Sequence, residues 1–581
     1  MELRAPPLDR LSARGRGVLL AVLVAGALAA WLAPPAQAAA DLDQPESKRR
    51  PPPAFELSAR EAIELARRTE AVEGERRSHP GLEPTAYTSG PGRWQVSFTA
   101  GGDELAQVHV DDATGTVTEA WTGPQVAWKM ARGYAGAFGR TLNAPYVWLP
   151  LCLLFVAPFV DPRRPFRLLH LDLLVMLAFG VSHFFFNRGE IFASVPLVYP
   201  VLGYLLARML VAGFRPRGGA GPLVPVVPIA WLALALVFLV GFRVALNVAD
   251  SNVIDVGYAG VIGADRIADG EGIYEGELAE DNQHGNTYGP LSYLAYVPFE
   301  QALPWSGTWD DLPAAHAAAI AFDAATMLGL LLLGIRLRRG AAGRALGTAL
   351  AFAWASYPYS LFVLSSNSND SLVAMLVVFA LLAITSAPAR GALLALATAT
   401  KFAPLALAPL FARGVGDAQD EGRPRSGRRP VLLFTLVFAA VAAACIAAFI
   451  PDGGLREVYD RTIGYQTGRE SPFSIWGQEP ALGGLQLALV VAAAGLAISV
   501  AFVPRRRSPA QVAALGAAVL IAVQLVATHW FYLYVVWFAP FVLVALFAAH
   551  ETGPSTSEAE RAAESRRSKD EPAPDVEPVP A

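Results

Sequence analysis

The sequence predicts a mainly α protein, a polytopic transmembrane helical bundle preceded by a small α+β domain. Apolar segments recur along most of the chain at roughly 17–25 residues, the length that crosses hydrocarbon as a helix. The charged fraction is 17% against 54% hydrophobic residues, well below the ~25% charged that soluble chains carry. One stretch, residues 55–123, loses the apolar character and reads as a soluble unit. The formal net charge of −4 gives no reason to expect a nucleic-acid partner. Both cysteines, Cys152 and Cys445, lie inside apolar segments, so they predict packing rather than a disulfide framework or a thiolate metal site.

Residues 1–40 carry Arg4, Arg10, Arg14 and Arg16, an apolar run and then Ala36-Gln37-Ala38, the pattern of a signal peptide or signal anchor. Either form sends the following residues out of the cytoplasm. Residues 41–54 are a Pro-rich linker. In 55–123, Ser58 and Glu61 fit a capping box at the start of a helix near Ser58 to Thr69. Arg93 to Thr99, Leu105 to Val110 and Thr116 to Trp121 alternate as strands, with Asp111 to Gly115 as a turn. The segment VHVDDATGTVTEAW resembles PepSY-type domains, which implies an extracytoplasmic regulatory or binding module. A plain structural spacer is the alternative.

Apolar segments then fall near 146–160, 168–186, 191–212, 224–247, 314–335, 345–364, 371–386, 391–412, 430–450, 481–503, 509–527 and 530–549. Residues 146–222 form an accessory set of transmembrane helices, and 223–550 the main transmembrane domain. Arginines mark the cytoplasmic side of short loops. Arg163, Arg164 and Arg167, then Arg208, Arg215 and Arg217, then Arg336, Arg338, Arg339 and Arg344 alternate correctly, but Arg423, Arg425, Arg428 and Arg429 break the alternation. The pattern is restored if 391–412 enters and returns on one face, so a re-entrant or broken hairpin holding Lys401 and Pro404 is expected; such breaks persist only where protein or a wet cavity satisfies the backbone. Loops 248–313, 365–370, 451–480 and the Thr528-His529 corner then face outward. Residues 551–581 read as a disordered cytoplasmic tail.

Residues 250–298 read as a long, carboxylate-rich and Tyr-studded loop between apolar helices, and long loops are more often functional than short ones. Outer-face clusters converge there: Asp250, Asp255 and Asp265; Asn367, Asn369 and Asp370; Arg456, Arg461 and Arg469 with Ser471 to Gly477; and His529. A carboxylate at a bilayer surface can deprotonate an incoming hydroxyl while cations stabilise a phosphate leaving group. That pairing suits sugar transfer from a lipid phosphate. Asp255 is the candidate base, and Arg461, Arg469, His529 and Lys401 are the candidate phosphate ligands. Solvated loop arginines, an interfacial His529-Trp530 anchor and a snorkelling Lys401 are the structural alternatives. Asp370 precedes an apolar run, where it can equally serve as a helix cap. Tyr274, Tyr288, Tyr293 and Trp305 can stack on sugars or simply populate an interface. No carboxylate cluster has a recognisable metal-binding spacing.

These residues resemble the GT-C fold glycosyltransferases, closest to the polyprenol-phosphate-mannose-dependent family eighty-seven, over roughly 225–549. The resemblance rests on Asp255, Tyr258, Gly270, Tyr274, Tyr288 and Pro290 in order, on Asn369-Asp370 opening a helix, on Lys401 in ATKFAPLALAPLF, and on SPFSIWG, which holds Trp476. It implies a GT-C-type catalytic domain over 223–550, with Asp255 as the general base of an inverting transfer. Tyr258, Tyr274, Tyr288, Asn369, Asp370 and Trp476 are then expected at the acceptor or sugar. The donor would be a polyprenyl-phosphate hexose, mannose by the resemblance, and the acceptor a cell-envelope lipid or glycan, with no cofactor and no metal. A lipid-linked sugar transporter or flippase is the alternative from another class, although no inverted repeat with paired broken helices is evident. A non-catalytic membrane sensor using the PepSY-like domain is a further one. The Arg-rich, Lys-poor and Ala-rich usage fits a high-GC bacterial chain, so a multi-pass protein of the cell membrane is expected.

Overall fold

The computed structural model describes residues 42–551 except 90–91, 128–140, 220, 280–281, 283, 310–311, 416–427 and 470. The expected signal segment at 1–40 and the tail beyond residue 551 lie outside the described residues. The chain is mainly helical, with a small antiparallel sheet near its start.

The front unit is a five-stranded sheet in the order β1 (Leu42–Asp43), β2 (Glu83–Ser89), β3 (Arg93–Ala100), β4 (Asp103–Asp111) and β5 (Val117–Thr122), all neighbours antiparallel. The helices Ala59–Arg67 and Glu70–Ser78 precede β2. Ser58 and Glu61 form the capping box reciprocally. Alternation aims Trp94, Val96 and Phe98 of β3 and Ala106, Val108 and Val110 of β4 into one core with Ala62, Ala66 and Val72 of the helices. Asp112 anchors the incoming chain by accepting from the Glu56 and Leu57 amides and the Trp94 indole N–H. Two elements depart from the sequence reading. β2 was not legible, and the stretch expected as pure linker begins with the short edge strand β1.

The second core is far larger and belongs to the bundle. Seven helices are long and apolar enough to cross a membrane, spanning Leu168–Phe186, Ile191–Phe214, Ile229–Ala249, Pro313–Leu337, Arg428–Ala447, Pro480–Ser499 and Pro509–Val526. Shorter apolar helices complete the bundle at Pro145–Phe159, Asp370–Leu382, Ala403–Arg413 and Tyr532–Phe547. The helix Arg428–Ala447 is 6% buried while Pro509–Val526 is 67% buried, so the first lies at the periphery of the bundle and the second at its centre. Deep in the bundle the Arg243 guanidinium donates to both Asp323 carboxylate oxygens at 3.0 and 2.7 Å, to the Ala355 carbonyl and to Ser360, and Asp323 also takes the Trp354 N–H. A buried charge is tolerated when it is paired and fully hydrogen-bonded in this way.

The segment expected as a broken hairpin is one. The helix Ala387–Thr400 stops at Lys401, and the chain turns through a 3-10 segment, Ala403–Leu407, into Ala408–Arg413. Arg390 closes the mouth of this hairpin by donating to the carbonyls of Ile384, Phe411 and Ala412. Arg413 lies over the Phe502 ring at 5.2 Å, which places that mouth beside the 500–508 turn. Arg338 reaches the Ala548 and His550 carbonyls, Arg167 bonds His550, and Gln511 donates to Gly213. These ties gather the turns near 167, 213, 338, 390, 413, 507 and 550 at one end of the bundle. The tip of the hairpin, Lys401, lies at the other end, among the candidate residues.

Candidate functional site

The residues expected to form a loop at 250–298 are partly helical, with a 15-residue helix Asp255–Asp269 ending on Gly270 in the left-handed conformation, φ +78°. Glycines at 257, 260 and 263 hid this helix, because each weakens helix propensity. They are there for close approach. A Cβ at Gly257 would run into the Asn367 carbonyl, and Cβ atoms at Gly260 and Gly263 would meet the rings of Tyr296 and Tyr293. The 367 corner itself is a hub: Asn367, at φ +50°, donates to Ser251 and to the Asn252 carbonyl and accepts from Asn247, while the Asn252 and Ile254 amides donate to Ser365 and Ser366. This hub brings the first turns of the helices Asp255–Asp269 and Asp370–Leu382 to one place.

Asp255 occupies the first position of its helix, and its side chain is solvent-exposed although protein crowds it closely, which places it in a recess rather than on an open face. Oδ1 accepts from the Val256 amide at 2.9 Å, and Asn282 holds the residue's carbonyl at 2.9 Å. Among the described residues no side chain bonds Oδ2. The surrounding protein crowds the carboxyl, and this burial raises its pKa above the ordinary carboxylate value; the Val256 amide and the charges of Lys401 and Arg469 work against the rise, and Asp370 adds to it. Asp255 therefore keeps solvent access while being a stronger base than a surface aspartate.

Asp370 is fully buried. Its Oδ1 accepts the Trp537 indole N–H at 2.9 Å and lies 3.6 Å from Lys401 Nζ. The capping alternative holds only in part: Asp370 sits in the first turn, where its charge suits the helix dipole, but the N-cap residue is Asn369, which makes no side-chain cap hydrogen bond and among the described residues has both amide atoms buried without a partner. Lys401 has its ammonium 4.2 Å over the Tyr288 ring and 6.0 Å from the centre of the Tyr534 ring, so it is held by an ion pair and two aromatic faces rather than snorkelling to the arginine-rich end. The loop carrying Tyr288 is fastened to the hairpin tip by Ser292, which donates to the Thr400 carbonyl at 2.8 Å, and by Gly289, where a Cβ would collide with Ala399.

The late loop and the 527–534 corner form the opposite wall. Ser474 donates to the Thr528 carbonyl, the Trp530 amide donates to Phe473, and the Trp530 indole N–H donates to Gln524. His529 Nδ1 lies 2.8 Å from Ser471 Oγ, which accepts from the Phe473 amide at 3.2 Å. That arrangement leaves the serine proton for Nδ1 and favours the imidazole proton on Nε2. Burial, with the positive charges of Arg469 and Lys401, pushes His529 down to about 3, so it is neutral near pH 7. Arg469 is half-buried, and among the described residues no hydrogen bond or ion pair engages its guanidinium.

The expected residues therefore divide. Asp255, Asp370, Asn369, Lys401, Tyr288, Arg469 and His529 gather. Arg461 turns away to pair with Glu457 at 3.0 Å and to hold the Gly276 carbonyl. It walls a neighbouring cavity of about 580 Å³. Tyr258, 1% exposed and stacked on Trp309 at 4.7 Å, stands behind the recess. So do Tyr274, whose hydroxyl donates to the Tyr288 carbonyl at 2.8 Å, and Trp476, whose N–H donates to Leu525. Tyr534 and Trp537 were not singled out from the sequence, where they sit in an unbroken apolar run; their rings stack at 4.4 Å beside Lys401 and Asp370. Among the described residues no three His, Cys, Asp or Glu side chains converge to hold a metal ion. No protein-family model matches the chain, and no curated protein matches it.

Proposed function

We propose that the protein is a membrane glycosyltransferase of GT-C architecture that transfers a hexose, mannose by resemblance, from a polyprenyl-phosphate sugar to an extracytoplasmic lipid or glycan acceptor with inversion. The observation that carries the reading is a solvent-accessible carboxylate, Asp255, clustered with the cations Lys401 and Arg469 and the imidazole of His529 at the tip of the broken hairpin, with burial raising the carboxyl pKa. The acceptor hydroxyl approaches the anomeric carbon from the Asp255 side and gives its proton to Oδ2 as the new C–O bond forms. The bond from the anomeric carbon to the phosphate oxygen breaks on the opposite face, and polyprenyl phosphate leaves as a stable anion. Its growing charge meets Lys401 and Arg469, with the His529 Nε2–H as a neutral donor. Asp370 holds the ammonium in place. No general acid is required, because the leaving phosphate needs no proton. The recess would sit at the outer membrane–water interface, with the donor's tail among the helices and the arginine-rich end in the cytoplasm.

Transfer of radiolabelled mannose from polyprenyl-phosphate-mannose to membrane acceptors tests this. Asp255→Asn is expected to reduce labelled product at least ~100-fold, the usual contribution of a general base, with unchanged thermal unfolding. Full activity in that variant would remove Asp255 from the mechanism. Movement of lipid-linked sugar across the membrane without a new glycosidic bond would replace the reading with transport.

A further inference from the structure

The cavity beside the recess supplies what the catalytic cluster lacks, a surface for the acceptor. We infer that it seats the sugar end of that acceptor, a short run of hexoses, and that Glu457 and Asp460 determine its specificity. The inference rests on the glycosyltransferase reading and deepens it. At about 580 Å³, the cavity falls within the ~300–1,000 Å³ that small-ligand sites occupy. Its lining is mixed in charge. Arg456 lies 3.8 Å from Asp460 and Arg461 3.0 Å from Glu457, so donor-only and acceptor-only groups stand side by side. A sugar hydroxyl is both donor and acceptor, and vicinal hydroxyls can address such a pair together.

Two further features point to a ligand. The helix Gly454–Tyr459 passes into a π-helical turn at Asp460–Gly464, a distortion frequent at functional sites, and this turn carries Asp460 and Arg461. The rings of His284 and Tyr465 lie 5.1 Å apart at 32° on the cavity wall, partly over one another, and offer an aromatic edge and outer face to the C–H groups of a pyranose. The cavity also adjoins the catalytic cluster through the chain itself. Thr287 lines it and accepts from Gln466, and the next residue, Tyr288, carries the Lys401 ammonium over its ring. The three carboxylates of Glu277, Glu457 and Asp460 outnumber the two guanidiniums, which disfavours the donor phosphate here, and the charged lining disfavours a prenyl tail.

The test uses the full chain in lipid nanodiscs free of alkyl maltosides, whose headgroups would compete. Saturation-transfer NMR is run with free mannotriose and with mannotriose linked to a dialkylglycerol, on the wild type and on the double variant Glu457→Gln/Asp460→Asn. Binding of either probe that is lost in the double variant supports the cavity as a glycan seat; loss of both shows that the free glycan suffices, and loss of the lipid-linked probe alone shows that the natural acceptor is a glycolipid. In transfer assays each single change is expected to raise acceptor KM about tenfold, as for a lost charge-assisted hydrogen bond, with a smaller effect on kcat and with partial recovery in Glu457→Asp. Equal binding by wild type and double variant, or no binding of either probe to the wild type, overturns the inference. Binding that depends on Glu457 and Asp460 in a protein that never releases sugar from the donor would keep the glycan site and sink the transfer reading instead.

Discussion

At the scale of single residues, the proposed function reduces to how four charges and one imidazole are held. In the proposed transfer Asp255 works only when deprotonated, and burial raises its pKa above the ordinary aspartate value, so kcat/KM should fall as pH drops through a value above that one. Arg469 lowers that pKa through its charge; Arg469→Gln should therefore move the acid limb to higher pH. His529 is neutral above about 3, so His529→Gln should lower the rate while leaving the limb in place. A pH–rate profile of the three proteins checks this, and a limb near the ordinary histidine value that disappears in His529→Gln would contradict it. The buried Asp370–Lys401 pair makes a different prediction. Removing one partner strands a charge, at a cost of about 3–5 kcal/mol, so Asp370→Asn and Lys401→Met should each unfold at clearly lower temperature. The double variant should recover much of the loss but remain poorly active if, as proposed, the ammonium meets the leaving phosphate. Additive destabilisation in the cycle would show that the pair is not coupled. Asp255 and Lys401 were legible in the sequence because an acid just past a helix and a lone lysine in an apolar run stand out against their surroundings. Tyr534 and Trp537 did not, since aromatics in a hydrophobic segment are the expected filling.

At the scale of elements, backbone proximity does most of the positioning. Gly289 lets its loop touch Ala399 at the hairpin tip, and a Cβ there would collide with the Ala399 carbonyl. Gly289→Ala should lift the loop, withdraw Tyr288 from the Lys401 ammonium and reduce transfer by about tenfold or more, as small displacements of positioning groups commonly do. Gly241→Ala is the matched control: it has open space around it inside the helix Ile229–Ala249, and it should leave both activity and stability near wild type. Comparable losses in both variants would show that glycine content, rather than close approach, is being measured. The broken hairpin was readable from arginine placement alone, because a run of arginines on the wrong side has few topological remedies. The helix Asp255–Asp269 was not readable. Its glycines at 257, 260 and 263 depress local propensity, and only the partners they approach, Asn367, Tyr296 and Tyr293, explain them. Strand β2 was missed for a related reason: Pro84 and polar neighbours blur its alternation, and pairing with β3 supplies what the sequence pattern lacks.

At the scale of the whole molecule, two separate cores set what can be removed. The front sheet packs its own interior around Trp94, Val96 and Phe98. The accessory helices, by contrast, belong to the bundle core. Ser182 and the Tyr532 hydroxyl lie 2.6 Å apart, His183 stacks on the Tyr532 ring at 4.6 Å, and Tyr357 donates to the Met176 carbonyl. Tyr532 lies three residues beyond His529, so these helices brace the corner that presents the imidazole to the recess. Excising residues 55–123 while keeping residues 1–54 should therefore leave the bundle folded and the transfer rate within a few-fold of the full chain. Excising residues 146–212 should abolish both, because it removes a wall of the larger core and its buried contacts. Size-exclusion behaviour in detergent, thermal unfolding and the labelled-sugar assay read the two deletions together. If removing the sheet unit alone destroyed activity in a bundle that still folded, the front domain would be acting on the Asp255 cluster rather than beside it, as a regulatory module does.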